Sequence, residues 1–189
     1  MPGNSPGNSE NWNTALRYIA GRKAAEENLG FLVHISATVR QTPAPEDVLP
    51  AVAKACVPFL ATAVSLDAPA TPGRPAVQSP PELTRALDGV RKLAEAGSGR
   101  RLVISGHESL VKETDPDQLE LLRQWEADSA AALPLDYRGV RTGHLVLLRA
   151  GGHRRGPIGP GDLALAGEVA DRVAAFHAFA GRPAGARGL

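Results

Sequence analysis

The chain has 189 residues, of which 43% are hydrophobic and 22% charged, which is enough apolar surface for one folded domain and excludes a wholly disordered chain. Its 21 basic and 20 acidic side chains cancel to a net charge of +1, so no global field attracts phosphate backbones or anionic lipid, and neither nucleic acid nor a membrane is expected as a partner. No stretch reaches the roughly 20 consecutive apolar residues that cross a bilayer. The N-terminus is polar where a signal peptide is apolar, and the single cysteine, Cys56, permits no disulfide within the chain and no multi-thiolate metal site, so a cytoplasmic protein is expected.

The tail repeats Pro2-Gly3-Asn4-Ser5 as Pro6-Gly7-Asn8-Ser9, a composition with nothing to bury, and residues 1–10 are expected to be disordered. Asn11 to Arg40 lacks proline and carries apolar Trp12, Leu16, Ile19, Leu29, Leu32, Val33 and Val39. This predicts one long helix or two coaxial ones, with a break at Gly21 or Gly30, since glycine costs about 1 kcal/mol against alanine inside a helix. Beyond Pro43 and Pro45, the stripe of Val48, Leu49, Val52, Cys56 and Phe59 predicts a second helix ending near Pro58, with Pro50 forcing a late start or a kink. Thr62 to Leu66 reads as a short strand, and the proline-rich Ala68 to Pro81 as a loop or degenerate strand.

Leu83, Leu87, Val90 and Ala94 recur at helical spacing ahead of Gly97 and predict a third helix. Leu102 to Ile104 is a short β-like run, and Asp115-Pro116-Asp117-Gln118 is an N-terminal capping sequence for a helix bearing Leu119, Leu122 and Trp125. Ala130 to Leu135 and Thr142 to Leu148 have strand length and are joined by Asp136 to Arg141, which predicts an antiparallel hairpin. The second strand is nearly apolar throughout and therefore needs cover on both faces. Pro134 cannot donate to a ladder, so the first strand should be an edge there or carry a bulge. After the glycine- and arginine-rich loop Gly151 to Gly161, Leu163, Ala166, Val169, Ala170, Val173, Phe176 and Ala180 mark a long amphipathic helix that stops at Gly181-Arg182-Pro183.

Three blocks of this pattern resemble the GAF domain family. Pro45-Glu46-Asp47-Val48-Leu49 through Val57-Pro58-Phe59-Leu60-Ala61 is similar to its second helix and first strand. Ala132-Leu133-Pro134-Leu135, Arg138-Gly139 and Thr142-Gly143-His144-Leu145-Val146-Leu147 resemble its hairpin, and Asp162-Leu163 onward its closing helix. The likeness is greatest to GAF modules of actinobacterial regulators and of phosphatases related to sporulation stage II E proteins. The resemblance implies an α/β (α+β) fold: a central antiparallel sheet of five or six strands, the N- and C-terminal helices on one face, and shorter helices and loops on the other. It also implies a small-molecule pocket on one face. The domain is expected over residues 11–182, with its core at about 29–180 and a flexible tail over 183–189. No cyclic-nucleotide signature or bilin-attaching cysteine context is recognisable, so the cofactor, if there is one, stays unknown.

Catalytic constellations are missing. Gly3-Asn4-Ser5-Pro6-Gly7 has the letters of a nucleophile elbow but lies in the polar tail, and Gly97-Ser98-Gly99 precedes a strand where a dinucleotide loop follows one. His34, His107, His144, His153 and His177 have no zinc-protease spacing, so no metal site is expected. Cys56 reads as a small buried hydrophobe, and one cysteine is too few for the GAF-fold methionine sulfoxide reductases. His107, Trp125 and His144 remain as candidate ligand-binding residues, His107 because it follows a strand near the implied pocket rim and Trp125 because an indole can close an apolar pocket. The expected function is a non-enzymatic small-molecule sensor or regulatory domain of signal transduction, homodimeric through its terminal helices and acting on a separate output protein. The alternative is a dimerisation or interaction module with no ligand.

Overall fold

The computed structural model describes residues 6–68, 75–97, 99–113 and 119–180. Helix α1 (Pro6–Gln41) is a single unbroken rod that begins inside the stretch expected to be disordered. A proline is tolerated in the first helical turn, where backbone N–H groups have no intrahelical partner, and none recurs before Pro43. Neither Gly21 nor Gly30 breaks it. A Cβ at either would meet nothing within 4 Å, so the cost is one of propensity alone, which helix-forming neighbours outweigh. Only the C-terminal part of α1 is packed: Phe31 and Ile35 are buried, whereas every residue from 11 to 26 is exposed.

A single 3-10 turn, Pro45–Asp47, leads into α2 (Val48–Cys56), which buries Val48, Leu49, Val52, Ala53 and Cys56. Pro50 is the third residue of α2 and forfeits no helical hydrogen bond, so the late start expected of it is the one observed. Five strands follow: β1 (Ala63–Asp67), β2 (Ala76–Gln78), β3 (Leu102–Ser105), β4 (Ser129–Tyr137) and β5 (Val140–Arg149). They form one antiparallel sheet in the order β2-β1-β5-β4-β3. The proline-rich segment thus yields only the short edge strand β2, and residues 69–74 lie outside the described residues.

Three helices connect the strands, and a fourth closes the chain. In α3 (Thr84–Ala96) the predicted Leu87, Val90 and Ala94 are buried, with Leu83 just before them. The short α4 (His107–Glu113) falls where a loop was expected; it has too few turns to show a period, and Leu110 is its buried anchor. The helix α5 (Leu119–Gln124) stands where it was predicted, although its capping residues, 115–118, are outside the described ones. Helix α6 (Pro160–Ala180) follows.

The sheet separates two apolar layers. On one face α1, α2 and α6 pack against Val64, Leu66, Ala131, Leu133, Leu145 and Leu147. On the other, Ala63, Ala130, Ala132, Val146 and Leu148 meet α3, α4 and α5. This is the layered architecture expected from the sequence, with five strands.

The β4–β5 hairpin is tighter than its six-residue connection suggested. Arg138 (φ 53°) and Gly139 (φ 78°) form a two-residue turn with both residues left-handed, the twist that suits paired strands, and the Asp136 carboxylate accepts the Gly139 N–H at 3.0 Å. β3 stops opposite Ala132, so Pro134 lies at a local edge, and the β4–β5 register shifts between Leu135 and Asp136. At Gly143 (φ 141°) the backbone of β5 comes so close to β1 that a Cβ would sit 1.8 Å from the Asp67 carbonyl oxygen. Gly143→Ala should therefore lower stability by at least about 2 kcal/mol in urea unfolding, through strain and separation of the two strands. A variant as stable as the parent would contradict this close approach.

Candidate functional site

A cleft of about 490 Å³ opens at the end of α5, lined by Pro58, Thr62, Trp125, Glu126, Gly151, His153 and neighbouring residues. Its floor needs a glycine, because a Cβ at Gly151 would stand 2.6 Å from Cβ of Glu126, itself held at φ 47°. The loop 150–159, of which residues 150–154 line one wall, is held from beneath by Arg149, the last residue of β5, whose side chain is fully buried. Arg149 Nε donates to the Leu60 carbonyl at 2.9 Å, and Nη1 donates to the Gly156 carbonyl and to Asp162 Oδ2, both at 2.9 Å.

Asp162, in the first turn of α6, collects these donors. Its Oδ1 accepts Arg155 Nε at 2.8 Å and its Oδ2 the Gly159 N–H at 3.1 Å. Burial works against its charge, but the hydrogen bonds from Arg149, Arg155 and Gly159 and the Arg149 charge prevail and hold the carboxyl down at about 2. Arg155 also donates from Nη2 to Asn28 Oδ1 of α1 at 3.0 Å. The guanidinium groups of Arg154 and Arg155 lie 4.9 and 4.8 Å from the centre of the Phe59 ring, which stacks on Phe31 of α1 at 4.4 Å. The loop beside the cleft is thereby joined to the long helix.

His153 Nε2 lies 2.8 Å from the Pro58 carbonyl and Nδ1 accepts the Arg155 N–H at 3.3 Å, the pattern of a neutral ring protonated on Nε2. Burial, foremost, pushes its pKa down, consistent with that form. Cys56 is buried and its thiol is pushed up to about 12 by burial, which leaves it protonated and unreactive.

The fold distributes the three candidate residues over different places. Trp125 is half-buried in the cleft wall. His107 heads α4, with Nδ1 2.8 Å from the Ala127 carbonyl, a contact that ties α4 to the approach to β4. His144 lies six residues from Ala150 along β5, roughly 20 Å away, on the α3 side of the sheet beside Asp67 and Glu95. Arg149 and Asp162, which hold the loop beside the cleft from beneath, escaped the sequence reading as site residues. Their only local signals are an arginine ending the apolar run Leu145-Val146-Leu147-Leu148 and an acid in the first turn of a helix.

No protein-family model matches this sequence, and no curated protein does. Solved structures do match. The GAF domain of a phosphoenolpyruvate-protein phosphotransferase from Coxiella burnetii superposes with a TM-score of 0.59 at 18% identity, covering 82% of this chain and 95% of that one. The chain has the GAF fold. The GAF domain of the corresponding Acinetobacter protein matches at TM-score 0.54 and 12% identity, over 82% of this chain and 94% of that one. A phycoerythrobilin-bound GAF domain from a cyanobacterial phytochrome matches at 0.52 and 16%, over 79% and 93%. Among the described residues of this GAF-fold domain, no helix is long and apolar enough to cross a membrane.

The Arg149–Asp162 pair makes the GAF-fold core acid-sensitive in a defined window. Because the folded carboxyl at about 2 lies below its ordinary value of 3.8, the pair's contribution is complete above about pH 4 and is lost as pH falls towards 2. Asp162→Asn should cost about 3–5 kcal/mol at neutral pH, since Arg149 is left buried and uncompensated, and should flatten the loss between pH 4 and 2. Urea unfolding across that pH range measures both.

Proposed function

We propose that this chain is a non-enzymatic regulatory domain of cytoplasmic signal transduction that takes a small molecule in the cleft beside Trp125. The observation that carries this reading is the connection from the cleft to α1: Arg155 reaches Asn28, and Arg154 and Arg155 sit on Phe59, which stacks on Phe31. A ligand that favours one arrangement of loop 150–155 would bias the position of α1 by its difference in affinity for the two arrangements. In this reading the output is a separate protein. Trp125 supplies an apolar wall with a polar N–H, and Glu126 and His153 supply the polar rim.

A second reading, a dimerisation module without ligand, is favoured by α1 itself. Trp12, Leu16 and Ile19 are 65%, 57% and 61% exposed and recur at i, i+4 and i+7, forming an apolar stripe on the projecting half of the helix. Two such helices would cover one another in a homodimer.

A metabolite panel read by thermal shift, with native mass spectrometry of the purified chain, tests the first reading. Ligand at about 100 times its Kd adds roughly 2.7 kcal/mol of stability, and Trp125→Ala should abolish that shift without unfolding the domain. No shift and no co-purified compound would leave only the second reading. For the dimer, light scattering should give twice the chain mass for the parent and the single-chain mass for Leu16→Glu with Ile19→Glu; a monomeric parent overturns it.

A further inference from the structure

Away from the Trp125 cleft, towards the other end of β5, the fold gathers Asp67 of β1, Glu95 of α3 and His144 of β5. One donor atom from each lies within 4.8 Å of the other two. We propose that these three side chains bind a divalent transition-metal ion, Zn²⁺ foremost, through one imidazole nitrogen and two carboxylates.

The buried histidine is the first support. His144 is 6% exposed, and its Nε2 is enclosed with no hydrogen-bond partner among the described residues. An enclosed ring nitrogen left unpaired is costly, and a metal ion is a partner that removes this cost. His177 Nε2 is also unpaired, but no acidic pair is grouped with it among the described residues.

The second support is how the ligands are held. Asp67 and His144 are directly opposed across β1 and β5, and Asp67 Oδ1 accepts the His144 backbone N–H at 2.8 Å, which orients that carboxylate and leaves Oδ2 for an ion. Gly143 permits this, since any side chain there would push β5 off the Asp67 carbonyl. Glu95 Oε1 accepts Arg91 Nη1 at 2.6 Å, leaving Oε2. Zinc bonds of about 2.0–2.2 Å to nitrogen and oxygen need donors roughly 3.3 Å apart in a tetrahedron. The 4.8 Å spread is wider than this, so an ion must draw the donors together, and the exposed Glu95 side chain at the end of α3 can rotate to do so.

The donor chemistry selects the ion. An imidazole with two carboxylates suits Zn²⁺ and its first-row neighbours rather than Ca²⁺ or Mg²⁺, which take oxygen-only sets of more ligands. Three protein ligands leave the fourth tetrahedral position to water. The three come from two strands and a helix, so the bound ion would clamp the end of α3 to the β1–β5 pair.

Calorimetric titration of the tag-free, chelator-stripped full chain with ZnCl₂ tests this, with Co²⁺ absorption as a second readout. One ion per chain is expected, with a rise in melting temperature and visible Co²⁺ bands typical of low coordination number. His144→Gln should abolish all three signals, and Glu95→Gln should weaken Zn²⁺ binding at least about tenfold. Glu95 is exposed, so its variant tests the site even where His144→Gln fails to fold. Absence of Zn²⁺ binding by the parent, or an unchanged affinity in Glu95→Gln, overturns the proposal.

Discussion

From Gly143 to Arg149 every residue of β5 is buried, and the remainder of the structure is arranged to keep water from both faces of that strand. Leu145 and Leu147 face the layer of α1, α2 and α6, while Val146 and Leu148 face the layer of α3, α4 and α5. A strand that is apolar on both faces does not select its own register, because a slip of one residue exchanges one apolar set for another. Register is imposed instead by the features at its ends. The Arg138-Gly139 turn sets the pairing with β4, Gly143 and the Asp67 bond set the approach to β1, and Arg149 ends the strand in a cage of carbonyls and one carboxylate.

That last cage links stability to the candidate site. An arginine withdrawn wholly from water is tolerated because Leu60, Gly156 and Asp162 accept from its Nε and Nη1 and Asp162 supplies the opposite charge, although Nη2 has no hydrogen-bond partner among the described residues. The partners come from the α2–β1 connection, the loop after β5 and the start of α6, so a single side chain joins three segments. The cleft beside Trp125 is bounded by the loop that this cage fixes, and it therefore has a rigid base beneath a polar rim. The same loop reaches α1 through Asn28 and Phe59, which connects the exposed half of α1, with its Trp12, Leu16 and Ile19 stripe, to the cleft.

What could be read in advance was local. The stripe of Leu83, Leu87, Val90 and Ala94, the β4–β5 hairpin with its Gly139 turn, and the closing helix each carry their signal within one continuous stretch of the chain, and each stands where it was expected. Misjudged features were those where propensity competed with context. The helix α1 begins at Pro6, inside the stretch expected to be disordered, and α4 is too short to display a period; of the two forms expected for α1, the single long helix is the one observed. The chemistry was legible only in fragments. Arg149 and Leu60 are 89 residues apart, and Asp67 and His144 are 77 apart, so no spacing rule brings either pair together. His107 and His144, chosen for their nearness to strands, lie apart from the cleft wall that Trp125 lines.

Composition and periodicity alone determined an α/β core and a hairpin strand that needs cover on both faces, because each of these follows from apolar spacing along a continuous chain, whereas the resemblance to GAF domains rested on particular residue blocks. Tertiary structure alone decided which polar side chains meet. The burial of Arg149 against Asp162, the joining of the cleft loop to α1, and the gathering of Asp67, Glu95 and His144 all depend on strand order and register. These pairings are contacts between distant segments, and their energies exist only once the sheet has closed.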